Sequence, residues 1–142
     1  MNEKKIPHQN RSPYGWWIAA YVIRFEYYDE DRKNPDRRCL AWENTIILKA
    51  NDRNEAYRKA VRFGRQASGQ EMWQSDSGRK GVWLFEGLTS LLPIYEELED
   101  GAEVLWRKYT NRTVKKIQAL AKSKKELEPF NDESSDKREG KY

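Results

Sequence analysis

The chain has little of what most catalytic and metal sites are built from, since its 142 residues include one cysteine and one histidine. The single Cys39 cannot form an internal disulfide and fits a reducing compartment. His8 stands in a polar segment, where a histidine is usually solvated. No apolar run approaches the roughly 20 residues of a membrane span, and no apolar segment follows the charged N-terminus as in a signal peptide. We therefore predict a cytoplasmic protein with no membrane contact.

The composition predicts one domain with a core built largely from aromatic side chains. Apolar residues make up 37%, charged residues 35% and aromatic residues 13% of the sequence. Each buried Trp or Tyr can remove roughly 150–250 Å² from water, which offsets the low aliphatic content. The net charge of +4 is too modest to single out nucleic acid as a partner.

Two segments near the N-terminus alternate as strands do. In 14–28, Trp17, Tyr21 and Phe25 share an apolar face, and 39–50 repeats this period. The connection, 29–38, is charged. Its three acids, Asp29, Glu30 and Asp31, suggest a cation site, but four neighbouring basic residues favour a solvated hairpin tip.

A helix is predicted to follow from Asp52. Asp52 and Glu55 have the spacing of an N-terminal cap, and Ala56, Ala60 and Phe63 recur at helical spacing. Gly64 is the expected C-terminal stop. The other faces are basic. They are typical of a solvated surface, with phosphate contact as the alternative.

The longest apolar run, 81–103, predicts the central strand. It bends near Gly87 or Pro93, turns at Asp100-Gly101 and reverses into a last strand over 103–109. With a short strand at 70–74, the order of elements is β-β-α-β-β-β. The fold class is therefore α+β, an antiparallel sheet of about five strands with one packed helix and a basic C-terminal helix.

Composition also divides the chain. We expect a disordered tail at 1–13, a single α+β domain at 14–109, a basic amphipathic helix at 110–127 and a disordered charged tail at 128–142.

The domain resembles a bacterial family known as domain of unknown function 4288. The similar stretches are WWIAAYVIRF, WENTIILKANDRNEAYRKAVRFG and VWLFEGLTSLLPIYEELEDGAEV, in the family's order and spacing. The resemblance implies a small bacterial α+β domain. It brings no established activity, cofactor or catalytic residue.

The leading functional hypothesis is a non-catalytic protein-binding module. Clustered acids at one end of a domain can steer a basic partner, and one version of this role is an immunity protein that blocks a toxin. The alternative is that the acids form a solvated turn without a binding role. The acids are Glu96, Glu97, Glu99, Asp100 and Glu103.

Nucleic-acid binding is the second hypothesis. It depends on basic side chains and on exposed aromatics that could stack bases. If Trp16, Trp42, Trp73, Trp83 and Trp106 are buried under the helix, that stacking surface is lost. The candidate basic residues are Arg112, Lys115, Lys116, Lys122, Lys124 and Lys125.

A sheet with one helix leaves its second face uncovered. That face would carry Ile18, Ala20, Val22 and Ile47, an apolar patch larger than soluble monomers usually expose. We predict that either a homodimer or residues 112–127 cover it.

Catalysis is the third hypothesis. Glu43, Glu86 and Glu103 could converge as acid–base or metal-binding carboxylates if their strands were neighbours. Strand glutamates are more often surface residues or partners of arginine, so we expect a protein that is not an enzyme and needs no cofactor or metal.

Overall fold

A computed structural model describes residues 6–69, 71–73 and 78–132 of the chain. By residue contacts the chain separates into two compact units, Met1–Trp106 and Arg107–Tyr142. The elements are β1 (Trp16–Tyr27), β2 (Leu40–Lys49), α1 (Arg53–Gln66), β3 (Glu71–Trp73), β4 (Lys80–Pro93) and α2 (Val114–Gln118), with short 3₁₀ turns at His8–Asn10, Lys124–Glu126 and Glu128–Phe130.

The first unit contains one antiparallel sheet with the strand order β2-β1-β4-β3. Strands β1 and β2 form the predicted hairpin, from Trp16 opposite Lys49 to Phe25 opposite Leu40. Strand β4 lies on the other side of β1, and the three-residue β3 pairs with its first residues. The α+β class, the antiparallel sheet and the packed helix are confirmed.

The prediction of about five strands is wrong, because no strand forms over 103–109. The turn at Asp100-Gly101 is present, and Gly101 has the positive φ of 88° that favours glycine there. The chain has left the sheet at Pro93, however, and the acids and glycine that dominate residues 96–101 have low β-propensity. Residues 103–109 therefore have no adjacent strand to reverse onto.

Helix α1 covers one face of the sheet and forms the core with it. Ala56 and Ala60, both fully buried, let the helix approach Trp17, Ala19 and Leu48 closely. At its start, Asp52 Oδ1 accepts a hydrogen bond from Glu55 N at 2.8 Å, which confirms the predicted cap. The helix fixes the position of the β2 end on which it packs.

Gly64 does not end the helix, contrary to the prediction. Helix α1 continues to Gln66, and Gly64 is buried inside it against Phe85 of β4. A side chain at this position would collide with the Phe85 ring, so the glycine is required for packing rather than for a stop.

Strand β4 is irregular near Gly87, where the bend was predicted. The register with β1 shifts twice, which leaves Glu86 and Thr89 as extra residues. Gly87 between them has φ 148°. Such bulges re-aim side chains, and here Glu86 reaches Arg24 on β1.

The apolar residues predicted on the face of the sheet opposite α1 differ in their exposure. Ile18 and Ala20 are buried on the central strand, and the strongly exposed apolar residues beside them are Ile47 (51%) and Leu92 (41%). That a homodimer or residues 112–127 cover this face stays a prediction.

The second unit has a much shorter helix than predicted. Only Val114–Gln118 is helical, with Thr113 as its cap, so a basic helix over 110–127 is not shown. Asn111 has a positive φ of 57°, and a separate turn begins at Ser123. The lysines of α2 have no acidic side chain one helical turn away, so they repel one another and disfavour a longer helix. Isolated helices shorter than about 12–15 residues are also only marginally stable in water.

The described part of the segment before β1 contacts the sheet. Ile6 is buried, and Ser12 Oγ donates to Trp16 O at 2.6 Å. Residues 6–13 are thus attached to the start of β1. Among the described residues, no helix combines the length and apolar character that crossing a bilayer requires.

Candidate functional site

The five candidate acids lie together in one loop, residues 96–103, which we call the acidic loop. It begins from a fixed point, because Ile94 is 1% exposed and its N–H donates to Trp16 O at 2.9 Å. The Ser12 hydroxyl also lies 2.9 Å from the Ile94 carbonyl, so its single proton is shared between this oxygen and Trp16 O. The segment before β1 thus holds the root of the loop against the sheet.

The acidic loop is also closed by its own hydrogen bonds. Glu103 N donates to Glu96 Oε2 at 2.7 Å, and Ala102 N donates to Glu99 O at 3.0 Å across the turn. One of the five carboxylates therefore has a structural role. The fixed backbone presents the other four as a set.

All five carboxylate residues are exposed. Within the described part of the chain, no lysine or arginine forms an ion pair with any of them. A group of like charges that is not neutralised locally raises the potential around it and attracts a partner of opposite sign. Chemically, the loop can bind ammonium or guanidinium groups.

The opposite end of β1 carries charges that the sequence did not link. We define the ion-pair network as three carboxylates and three guanidinium groups: Glu26, Glu30, Glu86, Arg24, Arg32 and Arg37. The Glu26 carboxylate is close to Arg37 Nη2, at 2.9 Å, and to Arg24 Nη1, at 3.8 Å. Glu30 pairs with Arg37 at 2.9 Å and Glu86 with Arg24 at 3.2 Å. Here each carboxylate has a guanidinium partner.

The hairpin acids are likewise used internally rather than arranged around a cation. Burial would raise the pKa of Glu30, but the Tyr27 N–H and the Arg37 guanidinium outweigh it and lower that pKa. The hydrogen bond from Arg79 lowers the pKa of Asp29. Asp31 accepts a hydrogen bond from Lys33 N. Glu30 and Arg37 are half-buried, whereas the other charged residues of this loop are exposed.

The three strand carboxylates do not form one group. Glu43 is exposed on β2 and Glu86 is paired with Arg24, while the backbone of Glu103 closes the acidic loop. Glu43 and Gly87 both oppose Val22, so β1 separates Glu43 from the Glu86 bulge by about two strand spacings, roughly 10 Å. In the described residues, no three His, Cys, Asp or Glu side chains cluster as metal ligands do.

The candidate basic residues of the second unit are divided among short segments. Lys115 and Lys116 lie in α2, and Lys124 and Lys125 lie in the next 3₁₀ turn. Arg112 stacks on Tyr109, 4.9 Å from the ring centre. Lys122 lies between the two helical segments, and all six side chains are exposed.

The tryptophan side chains that the structure describes do not form an exposed stacking surface on the sheet. Trp42 and Trp83, on the helix side, are half-buried, as is Trp16, on the other face beside Lys49. Trp106 is 60% exposed but lies outside the strands. The Trp73 side chain lies outside the described residues.

A second set of basic side chains lies on α1. Arg58, Arg62 and Arg65 recur along one exposed side of the helix, next to Tyr57, which is also exposed. Their spacing of four and three residues places them in one row. The sequence predicted this basic surface but not its exposed aromatic neighbour.

A small cavity of about 260 Å³ lies where α1 begins. Ile6 and Trp17 form its apolar side, and His8, Arg11 and Asp52 line the rest. Small-molecule sites usually exceed about 300 Å³. We assign it no ligand.

Comparison with known proteins gives a family and no closer relative. No curated protein and no solved structure matches the chain. The model of one family, described as a domain of unknown function (DUF4288), matches residues 16–106. This match covers the whole sheet, α1 and the acidic loop, and the chain belongs to the DUF4288 family.

Proposed function

We propose that this protein works by binding another protein, without catalysis, and that the acidic loop is its contact with a basic surface. The observation behind the proposal is the contrast in charge pairing. In the ion-pair network each carboxylate is paired with a guanidinium group. In the acidic loop the carboxylates have no basic partner among the described residues, and hydrogen bonds hold the backbone that carries them.

A fixed loop suits binding because less conformational freedom is lost when the partner arrives. Ile94 and the Glu96–Glu103 hydrogen bond hold the loop before any partner is present. Rim carboxylates mainly raise the association rate and select against acidic partners. The expected partner is therefore a protein with clustered lysine or arginine, such as a basic toxin.

The test compares proteins captured from a bacterial lysate by three immobilised full-length chains. These are the wild type, the loop variant Glu97→Gln/Glu99→Gln/Asp100→Asn, and a control with the same charge change at exposed acids elsewhere, Asp31→Asn/Asp36→Asn/Asp132→Asn. Glu96 is kept because it holds the loop closed.

The proposal expects one protein to be retained by the wild type and the control but lost by the loop variant. The purified partner should then bind the wild type with an association rate at least about tenfold faster at low salt than at high salt. Equal retention by all three chains would reject the acidic loop as the contact.

Nucleic-acid binding remains a second candidate because of the arginine row on α1. Three arginines beside an exposed tyrosine can contact phosphates and stack a base. The basic residues of the second unit, Arg112 to Lys125, are a separate candidate contact for nucleic acid.

A salt titration with mixed single- and double-stranded DNA separates these alternatives. Arg58→Gln/Arg62→Gln/Arg65→Gln should weaken binding if α1 is the contact, and a chain ending at Tyr109 should weaken it if the second unit is. A steep fall with salt is expected in either case. No binding at low salt would reject this candidate.

A further inference from the structure

Strand β2 forms an open edge of the sheet in the part of the chain that the structure describes. It is ten residues long, lies outside β1 and contains neither proline nor glycine. Long, regular edges readily pair with another strand, and proteins usually shorten, bend or cover them. Strand β2 has none of these interruptions, so the next question is which groups its edge presents.

The register shows which backbone groups of β2 face outward. Ala50 N donates to Gly15 O at 2.8 Å, so Ala50 and Gly15 form a hydrogen-bonded pair. In an antiparallel ladder such pairs alternate with pairs that make no hydrogen bonds to each other. Leu48 and Ile46 therefore bond to β1, whereas Ala41 and, after it, four further residues direct their N–H and C=O groups away from it: Glu43, Thr45, Ile47 and Lys49.

Those four residues also have exposed side chains on the face opposite α1. Glu43 and Lys49 are placed symmetrically about Ile46, three residues away on either side. Thr45 and Ile47 are placed symmetrically one residue away. A second β2 running antiparallel about a two-fold axis at Ile46 would therefore set Glu43 opposite Lys49 twice, and Thr45 opposite Ile47 twice.

We propose that two copies of this chain pair through the outer edges of β2 in this register. The two four-stranded sheets become one continuous sheet. The outward groups of the four residues supply about eight backbone hydrogen bonds. Because the two-fold axis is perpendicular to the sheet, both α1 helices lie on the same face.

The charges select this register over its neighbours. Centring the axis on Thr45 places Glu43 opposite Ile47 and Lys49 opposite Ala41, so both charges lose a partner. Centring it on Glu43 places the two carboxylates opposite each other, which is destabilising. The register at Ile46 also brings the exposed Ile47 side chains of the two copies diagonally together near the axis.

The adjoining contacts are compatible with this pairing. Lys59 Nζ donates to the Lys49 carbonyl. That oxygen has a second lone pair for a backbone donor. Lys49 Nζ lies 5.5 Å from the centre of the Trp16 ring, on the same face as Glu43. The lysine is therefore on the side of the sheet where the opposite carboxylate would arrive.

Charge exchange at the two positions tests the proposal. The mass of the full chain is measured by sedimentation over a range of concentrations, and the dimer is twice the 16.9 kDa monomer. Glu43→Lys puts two lysines opposite each other, and Lys49→Glu puts two carboxylates opposite each other. Each should weaken the dimer at least about tenfold, while the double exchange Glu43→Lys/Lys49→Glu should restore it to within about threefold.

Thr45→Pro tests the backbone separately from the charges. It removes an outward N–H without removing a hydrogen bond to β1, and proline is tolerated on edge strands. It should abolish the dimer with circular dichroism unchanged. Asp36→Lys, an exposed site outside β2 with the same charge change as Glu43→Lys, should leave the dimer intact.

A wild type that stays monomeric at all concentrations would overturn the proposal. A dimer that resists both single exchanges and Thr45→Pro would also overturn it, because the contact would then lie on another surface. None of the informative substitutions touches the acidic loop, so this result is independent of partner binding there.

Discussion

The two ends of β1 carry similar numbers of charges but arrange them in opposite ways. At the end near Glu26, carboxylates and guanidinium groups alternate in space and are partly buried. At the other end, next to Trp16, the acidic loop exposes five negative charges with no positive charge between them. The first arrangement uses its charges to hold the hairpin in place.

The second arrangement has no ion pair among the described residues. Paired, partly buried charges are expensive to disturb singly, because the remaining partner keeps its desolvation cost. Exposed charges of one sign contribute little to stability and can repel one another. Substitutions at the two ends should therefore have different effects on folding.

The largest effect is expected at Glu26, which is 7% exposed. Glu26→Gln removes the carboxylate that Arg24, Arg32 and Arg37 share. We expect a loss of about 2–3 kcal/mol in the free energy of unfolding, measured with urea, since the arginines are only partly buried. The matched control is Glu97→Gln. A loss below about 0.5 kcal/mol at Glu26 would show that the network does not stabilise the fold.

A smaller, pH-dependent effect is expected at Glu30. Its pKa is lowered in the folded protein, although burial opposes the shift, because Tyr27 N–H and Arg37 favour the charged form. The resulting stability is therefore present above its ordinary pKa and lost as the pH falls through the lower folded pKa.

Glu30→Gln should flatten the fall in unfolding free energy below about pH 4.5. Urea unfolding between about pH 3 and 7 measures this slope. Replacing acids of the acidic loop should leave it unchanged, and an unaltered slope in Glu30→Gln would contradict the assigned hydrogen bonds.

A local effect is expected at Glu96, the carboxylate of the acidic loop that accepts a backbone hydrogen bond. Glu96→Ala should cost about 0.5–1 kcal/mol and speed hydrogen exchange at the Glu103 amide. Nuclear magnetic resonance measures that exchange residue by residue. Glu97→Ala is the control, and equal exchange in both variants would show that the loop is not closed by Glu96.

The parts of the fold that follow local periodicity could be predicted from the sequence. The alternation of apolar and polar residues predicts β1 and β2, and the Asp52–Glu55 spacing predicts the start of α1. Both patterns depend only on residues that are close in the sequence. The acidic loop was identified by composition alone. The stretches that carried the family resemblance lie within the matched residues 16–106.

The rest depends on contacts between distant residues. The Arg24–Glu86 ion pair requires both the pairing of β1 with β4 and the bulge at Glu86. Neither can be recognised from the residues that flank these positions in the sequence. The sequence predicts a helix stop at Gly64, because the residue that packs against this glycine, Phe85, is distant in sequence. The role of Ser12 at the root of the acidic loop likewise needs the fold.

The smallest effect on folding is expected from the loop variant Glu97→Gln/Glu99→Gln/Asp100→Asn. Its free energy of unfolding should stay within about 0.5 kcal/mol of the wild type, with any gain arising from lost repulsion. Raising the salt from about 0.02 to 0.5 M should stabilise the wild type slightly, because screening weakens that repulsion, and should stabilise the variant less. A loss above about 1 kcal/mol would mean that these carboxylates hold the fold as Glu26 does, and the two ends of β1 would no longer differ in the way their charges are used.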